Sequence, residues 1–330
     1  MTNDLKKLFD QFSSMKVAVI GDVMLDTYWW GKVERISPEA PVPIVALSKR
    51  EKRIGGAGNV ALNVEQLGAS VAVLTVLGDD EDGRELKSLL VEKNIDAQFI
   101  LQSNKRITTN KIRIISRNQQ MMRLDAEHTN DLEARDEERL LDQIKKFISN
   151  QKPDVVILED YNKGILTENI IQEVISFCNE QQVITTVDPK RKNFFSYKNV
   201  TLFKPNLGEA IAALNRLPGE VSIDMLQEIH AEMKEKLSHS ISLITLSENG
   251  VFYQQDNEKK LIPSHRRNIA DVSGAGDTVI AVASLAYAAT RNINLAAEIA
   301  NIAGGIVCEE VGTVAINKQK LLAECQRLLS

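Results

Sequence analysis

The chain is poor in the residues that build several common kinds of site. Three cysteines occur in 330 residues (Cys178, Cys308 and Cys325), far apart and never in C-x-x-C spacing. This excludes a disulfide framework or a thiolate zinc site and suits a reducing compartment. The four histidines, His128, His230, His239 and His265, are isolated in sequence with no metal-ligand spacing, and none is assigned a catalytic role. No run of about 18 apolar residues exists, so no membrane span is expected. The first ten residues contain acidic side chains and no apolar stretch, so no signal peptide is read there. The expected location is therefore the cytoplasm. A net charge of −5 disfavours nucleic acid as a partner. The chain also lacks G-x-x-x-x-G-K-[ST], which excludes a P-loop. No G-x-G-x-x-G follows the first strand candidate, where a dinucleotide site would need it.

What is present describes an α/β protein. Hydrophobic residues at 43% and charged residues at 26% permit a sizeable core. Short β-branched runs predict strands at Lys16–Ile20, Val71–Leu77, Val155–Leu158, Ile184–Val187, Leu202–Phe203 and Leu243–Leu246. Ala57, Val60, Ala61, Val64 and Leu67 fall at helical spacing before Gly68, and Asp136–Ile148 and Thr167–Cys178 also read as helices. Such alternation implies a mostly parallel sheet covered on both faces. The strands run into Gly21-Asp22, Gly78-Asp79, Glu159-Asp160, Asp188, Asn206 and Ser247-Glu248. Ligands of open α/β sheets bind at such ends, although each polar residue could also be a helix cap. Two segments break the pattern, Asp26–Leu47 and Gln98–Leu124. Both are expected to be extended strands outside the main sheet, forming a small β-lid or a dimer surface, with Trp29 and Trp30 packing there. Glu127–Arg139 is read as a solvated loop and helix face.

The segment Ile269–Val279, I-A-D-V-S-G-A-G-D-T-V, carries the most chemistry. Gly274 and Gly276 let the backbone turn tightly before a run of helix formers. A helix N-terminus there aims unpaired N–H groups at an anion. Asp277 beside them is a candidate base for an incoming hydroxyl, and the backbone of Gly274, Ala275, Gly276 and Asp277 is a candidate cradle for the transferred group. Anion cradle plus base is the minimum equipment for phosphoryl transfer. Gly55-Gly56-Ala57-Gly58-Asn59 is either a tight turn before a helix or a surface for a polyol, with Asn59 bonding hydroxyls. Asp22 and Asp26 stand at a strand end suited to hydroxyl binding, or cap locally.

D-V-S-G-A-G-D-T-V (Asp271–Val279) resembles the C-terminal signature of the ribokinase-like, or PfkB, carbohydrate kinases, and G-G-A-G-N-V-A (Gly55–Ala61) is similar to their sugar-binding signature. The resemblance covers essentially the whole chain. It implies a three-layer sandwich with a mostly parallel central sheet and a small β-lid, residues 1–330 forming one kinase domain. It further implies that Asn206, Leu207, Gly208 and Glu209 match the N-x-x-E motif that organises Mg²⁺ and phosphates, with Glu209 reaching the ion through water. Ser247 and Gly250 would meet the nucleotide ribose and phosphates, and Asn301 would lie on the adenine-side helix. Gly55, Gly56, Asn59 and Asp22 would hold the sugar. ATP and Mg²⁺ are therefore expected, with a K⁺ site near Asp271 as in some relatives, and a homodimer formed through the lid.

Within that family, Gly21–Trp29, Arg35–Pro43 and Ser116–Gln120, followed by Arg123 and Asp125, look like the heptose-7-phosphate kinases, here expected as the stand-alone form. These phosphorylate the anomeric hydroxyl of D-glycero-D-manno-heptose 7-phosphate on the route to lipopolysaccharide. Independently, an acidic protein concentrates Lys111, Arg113, Arg117 and Arg123 in the suspected lid. Arginine suits bidentate phosphate recognition, although cross-strand charge pairing is the competing use. Lys190-Arg191-Lys192 reads as an exposed loop near nucleotide. Glu159 stands where that kinase pattern would have a small residue. Another acceptor (ribose, a nucleoside or fructose 1-phosphate) and a non-catalytic sugar-phosphate sensor remain as alternatives.

Overall fold

The computed structural model describes residues 2–117 and 119–329. Its strands in chain order are β1 (Lys16–Gly21), β2 (Val23–Ile36), β3 (Pro43–Gly56), β4 (Ser70–Gly78), β5 (Ile100–Ser103), β6 (Asn110–Ser116), β7 (Gln119–Ala126), β8 (Val155–Glu159), β9 (Ile184–Asp188), β10 (Leu202–Phe203), β11 (Ile241–Thr245), β12 (Val251–Gln255) and β13 (Glu258–Ile262). The helices are α1 (Thr2–Gln11), α2 (Ala57–Gln66), α3 (Glu81–Glu92), α4 (Ala134–Gln151), α5 (Glu168–Glu180), α6 (Leu207–Ala213), α7 (Ile223–Leu237), α8 (Ala275–Thr290), α9 (Ile293–Val307) and α10 (Lys318–Leu328).

Nine strands form one sheet, in the order β13-β12-β11-β10-β9-β8-β1-β4-β5. From β5 to β11 its pairings are parallel, and only the β11-β12-β13 edge is antiparallel. Parallel strands covered on both faces need apolar side chains on both, so β8 and β9 are buried throughout their length. On one face Val19, Val73, Ile157 and Leu243 pack against α1, α2, α8 and α9. On the other, Ile20, Leu74, Leu158 and Phe203 pack against α4, α5 and α7. The result is the expected three-layer sandwich. The six strand candidates all fall in it. Among the described residues no helix is long and apolar enough to cross a membrane.

A second, four-stranded sheet has the order β3-β2-β6-β7. It is the lid, and β2 enters it one residue after β1 leaves the main sheet. One lid face carries Asp26, Tyr28, Lys111, Arg113 and Arg123, which stand opposite one another in the register. The opposite face carries Trp29, Ile114, Met122 and Leu124. The expectation that Gln98–Leu124 lies wholly outside the main sheet needs correction, because Ile100–Ser103 pairs in parallel with β4 and extends the main sheet. Glu127–Arg139 is likewise less solvated than expected: Leu132 and Asp136 are buried.

Candidate active site

The site is assembled from α8's first turn, α2, and the loops at the strand ends. Gly274 takes φ 78°, a left-handed conformation, and a Cβ there would come within 3.0 Å of Asn59 Nδ2 and 3.1 Å of Thr313 Cγ2. Any side chain there would be strained by the angle and would have to push Asn59 or Thr313 aside. Ala275 N–H bonds back to Val272 O at 3.3 Å, whereas Thr278 N–H already closes a helical bond on Gly274. The N–H groups of Gly276 and Asp277, at the second and third helical positions, have no acceptor within the helix. They are the available part of the four-residue anion cradle.

Asp277 is buried, with only 4% of its surface exposed. Its carboxylate accepts hydrogen bonds from Asn59 Nδ2 and Tyr161 OH, each at 2.7 Å. Burial pushes its pKa up to about 6, the bonds from Asn59 and Tyr161 opposing and nearby Asp188 adding to the rise. Asn59 is held in turn: Asn63 donates to its carbonyl at 2.8 Å, and Asn63 Oδ1 accepts from Thr278 Oγ1 at 3.1 Å and Ile316 N at 2.9 Å. The Gly55–Ala61 segment and Asp277 are thus joined directly through Asn59.

Asp22 does something more architectural than its position suggested. Its carboxylate accepts three backbone N–H groups, from Tyr161 at 2.8 Å, Lys163 at 3.0 Å and Ile165 at 3.1 Å. It therefore holds the loop that delivers the Tyr161 hydroxyl to Asp277. Asp26 pairs with Arg113 at 2.5 Å, and its other oxygen lies 2.3 Å from where a Cβ on Gly55 would stand. Gly56 has φ 60°, and a Cβ there would meet Asp22 O at 2.3 Å. These glycines allow lid base, sugar floor and helix α2 to meet.

The predicted basic cluster divides. Lys111 Nζ lies 5.7 Å from the centre of the Tyr161 ring, and Arg113 packs its guanidinium over Tyr28 at 5.2 Å while bonding Asp26. Arg123 pairs with Asp125 at 2.9 Å. Arg117 is exposed at the β6–β7 tip with φ 50°; Asn118 of the same string lies outside the described residues. Lys190 is not on an exposed loop, as had been expected, but is half-buried. It bonds Glu209 at 2.7 Å, stands 3.6 Å from Asp188 and lies 5.4 Å from the Tyr161 ring centre.

On the nucleotide side, Asn206 and Glu209 form a reciprocal cap at the start of α6. Asn206 Oδ1 accepts Glu209 N–H and Glu209 Oε2 accepts Asn206 N–H, both at 2.8 Å. Leu207 and Gly208 occupy the turn between them. The cap and Lys190 hold the half-buried Glu209 carboxylate in place and leave lone pairs for water. That fits Mg²⁺, which keeps most of its hydration shell. Ser247 opens the short turn after β11, and Gly250, φ 91°, closes it against Ile262 O. Asn301, on α9, donates to Pro263 O at 2.9 Å. Asp271 bonds Ser273 and Gly312 N–H at 3.0 and 2.9 Å, tying the turn before α8 to the 309–316 loop.

Tyr161, Asp188 and Lys204 were not singled out for roles in the sequence. Lys204 is buried against Asp188 at 2.7 Å. Their signal was the string of polar residues ending successive strands. His230 and His239, isolated in sequence, share the Ser242 hydroxyl at 2.8 and 2.6 Å in the core, where burial lowers both pKa values, to about 4 and about 3.

A glycine turn opening a helix with free N–H groups, beside a buried carboxylate bonded to an asparagine on an α/β sandwich, is the equipment that a phosphotransferase acting on a hydroxyl would need. The particular family follows from comparison: residues 14–320 match the pfkB family carbohydrate kinases, and the chain belongs to that family. It is a sugar kinase. It is 41% identical over 307 residues to the bifunctional protein HldE of Sulfurimonas denitrificans, covering 92% of this chain and 62% of that one. HldE of Helicobacter acinonychis is 38% identical over 93% of this chain and 65% of its own length. The chain thus spans less than two thirds of these curated relatives. Among solved structures, phosphofructokinase-2 from Escherichia coli superposes with a TM-score of 0.78 at 18% identity, covering 95% of this chain and 99% of that one. Ribokinase from Arabidopsis thaliana, complexed with ribose and ATP, gives 0.73 at 16% identity over 93% and 98%.

Proposed function

We propose that this kinase transfers the γ-phosphoryl group of ATP to the anomeric hydroxyl of D-glycero-D-manno-heptose 7-phosphate, residues 1–330 working as one domain. The observation that carries the reading is the charged lid face. It turns Lys111 toward the ring of Tyr161, whose hydroxyl bonds the base Asp277, while Arg113 lies on the same face, over Tyr28 and bonded to Asp26. A phosphate on the far end of the sugar meets cations there while the C1 hydroxyl meets Asp277. The similarity to HldE proteins agrees with the heptose-kinase strings.

In this mechanism the C1 oxygen attacks the γ-phosphorus as Asp277 accepts its proton. The new O–P bond forms as the bond to the β,γ-bridging oxygen breaks, and ADP leaves. The Gly276 and Asp277 N–H groups stabilise charge on the transferred oxygens, each such donor contributing on the order of 3 kcal/mol. Glu209 would hold Mg²⁺ through water, and the ion supplies charge neutralisation along the phosphates when bound. A homodimer through the lid's outer face suits the exposed Met122 and Leu124, and a cytoplasmic location suits the substrates.

The test is ADP release with heptose 7-phosphate, the dephosphorylated heptose, ribose, a nucleoside, fructose 1-phosphate and fructose 6-phosphate. The heptose phosphate is expected to give the highest kcat/KM. Equal or better turnover of unphosphorylated sugars refutes the assignment, and no ADP release with any of them favours a sensor.

A further inference from the structure

Glu159 has no role in the mechanism above, yet it sits at its centre. It is the last residue of β8, and the parallel register places it beside Asp188, the last residue of β9. Both side chains emerge on the sheet face covered by α8, whose first turn brings Asp277. Glu159 is completely buried, and neither of its carboxylate oxygens has a hydrogen-bond partner. Asp188 Oδ1 also lacks one. One oxygen from each of Glu159, Asp188 and Asp277 lies within 4.8 Å of the other two.

The charges do not balance among these groups. Lys204 is committed to Asp188 at 2.7 Å, and Lys190 is shared between Asp188 at 3.6 Å and Glu209 at 2.7 Å. Asp277 receives only the neutral donors Asn59 and Tyr161. A buried carboxylate without donor or counter-ion is strongly disfavoured. A compact divalent cation remedies both deficits. It supplies two charges and takes the orphaned oxygens as ligands, after an inward swing that brings them to the roughly 2.1 Å of a hard oxygen site.

We infer that Glu159, Asp188 and Asp277 form a second divalent-cation site, of the Mg²⁺ and Mn²⁺ class, that is made by the protein alone and fills without nucleotide. It differs in its ligands from the water-mediated site at Glu209, and it does not depend on which sugar is phosphorylated. Because Asp277 serves both the cation and the attacking hydroxyl, the site belongs to the resting enzyme. An excess of free divalent ion competes with turnover there.

The experiment uses the nucleotide-free full chain and Mn²⁺, followed by electron paramagnetic resonance and by the melting temperature. The wild type is expected to bind Mn²⁺ and to melt higher with it. Glu159→Gln is expected to weaken that binding by roughly tenfold or more, removing a ligand costing at least as much as removing a supporting residue. Glu209→Gln is expected to bind as the wild type does. Wild type that binds no Mn²⁺, Glu159→Gln that binds normally, or Glu209→Gln that abolishes binding each overturns the inference. Glu159→Ala, which leaves no buried amide, repeats the measurement should Glu159→Gln fail to fold. In the kinase assay, inhibition by excess free Mn²⁺ is expected to weaken in the Glu159 variants, and inhibition equal to wild type counts against the resting-state role. Loss of the heptose assignment would leave these binding results unaffected.

Discussion

The two sheets of this protein obey different rules. In the nine-stranded sheet both faces are packed and mostly apolar, broken by a few bonded hydroxyls such as Thr75, Thr186 and Ser242, and the acidic side chains gather at the strand ends. Glu159 and Asp188 close their strands, and Asp22 follows directly after β1. In the four-stranded lid one face carries Asp26, Lys111, Arg113 and Arg123, and the other mixes Trp29, Ile114 and Met122 with Arg50 and Lys52, so polar side chains run along whole strands. In the proposed mechanism the large sheet sets where the base and the transferred phosphoryl would meet, and the lid would decide which sugar is brought to them.

The sharpest way to break this division is Asp277→Asn. It is expected to cut kcat by about 10² to 10⁴-fold while ATP binding, measured by calorimetry, stays intact. Wild-type turnover would remove the base from the mechanism. Leu74→Ala, in the fully buried core of the large sheet, is expected to cost about 2–5 kcal/mol in denaturant unfolding with little change in sugar preference. Lys111→Met should do the reverse. It should lower kcat/KM for the phosphorylated sugar roughly 10- to 100-fold, leave the unphosphorylated sugar nearly unaffected, and hold stability constant. A loss shared equally by both sugars would take the phosphate role away from the lid.

A smaller effect comes from pH. With Asp277 near 6, kcat/KM is expected to fall about tenfold per unit below pH 6 and to level above it, provided metal only saturates the nucleotide. The stability linkage has the opposite sense. The pKa in the folded protein lies above the unfolded value, so the stability this group contributes is present at low pH and is lost as pH rises through about 6. An acidic limb near pH 4 would mean a base better solvated than Asp277.

Much of this was legible in the sequence because it depends on local rules. Strand cores, the α2 pattern and the Gly274–Asp277 turn require particular residues at particular spacings. Asn206 and Glu209 form a helix cap, the local use that a polar residue at a strand end leaves open, since a cap is a four-residue event. What the sequence hid are encounters between distant segments. Tyr161 and Asp277 are 116 residues apart, and Asp22 reaches the backbone 139 to 143 residues on. Lys190 looked solvated because it neighbours Arg191 and Lys192, yet Glu209 and Asp188 draw it inward. Ile100–Ser103 was assigned to the lid because a short run of β-formers does not announce which sheet it will join.

The direct passage from β1 into β2 through Asp22 has a mechanical consequence. β2 has 14 residues, roughly 45 Å of strand at about 3.3 Å each. A rotation of about 10° at its root would sweep the far tip through roughly 8 Å but shift Asp26, four residues from Asp22, by only about 2 Å. The lid is a long lever with its root at Asp22, beside the proposed sugar site. Such a swing would open the mouth of the site by several ångströms while the residues at the root of the lid scarcely moved.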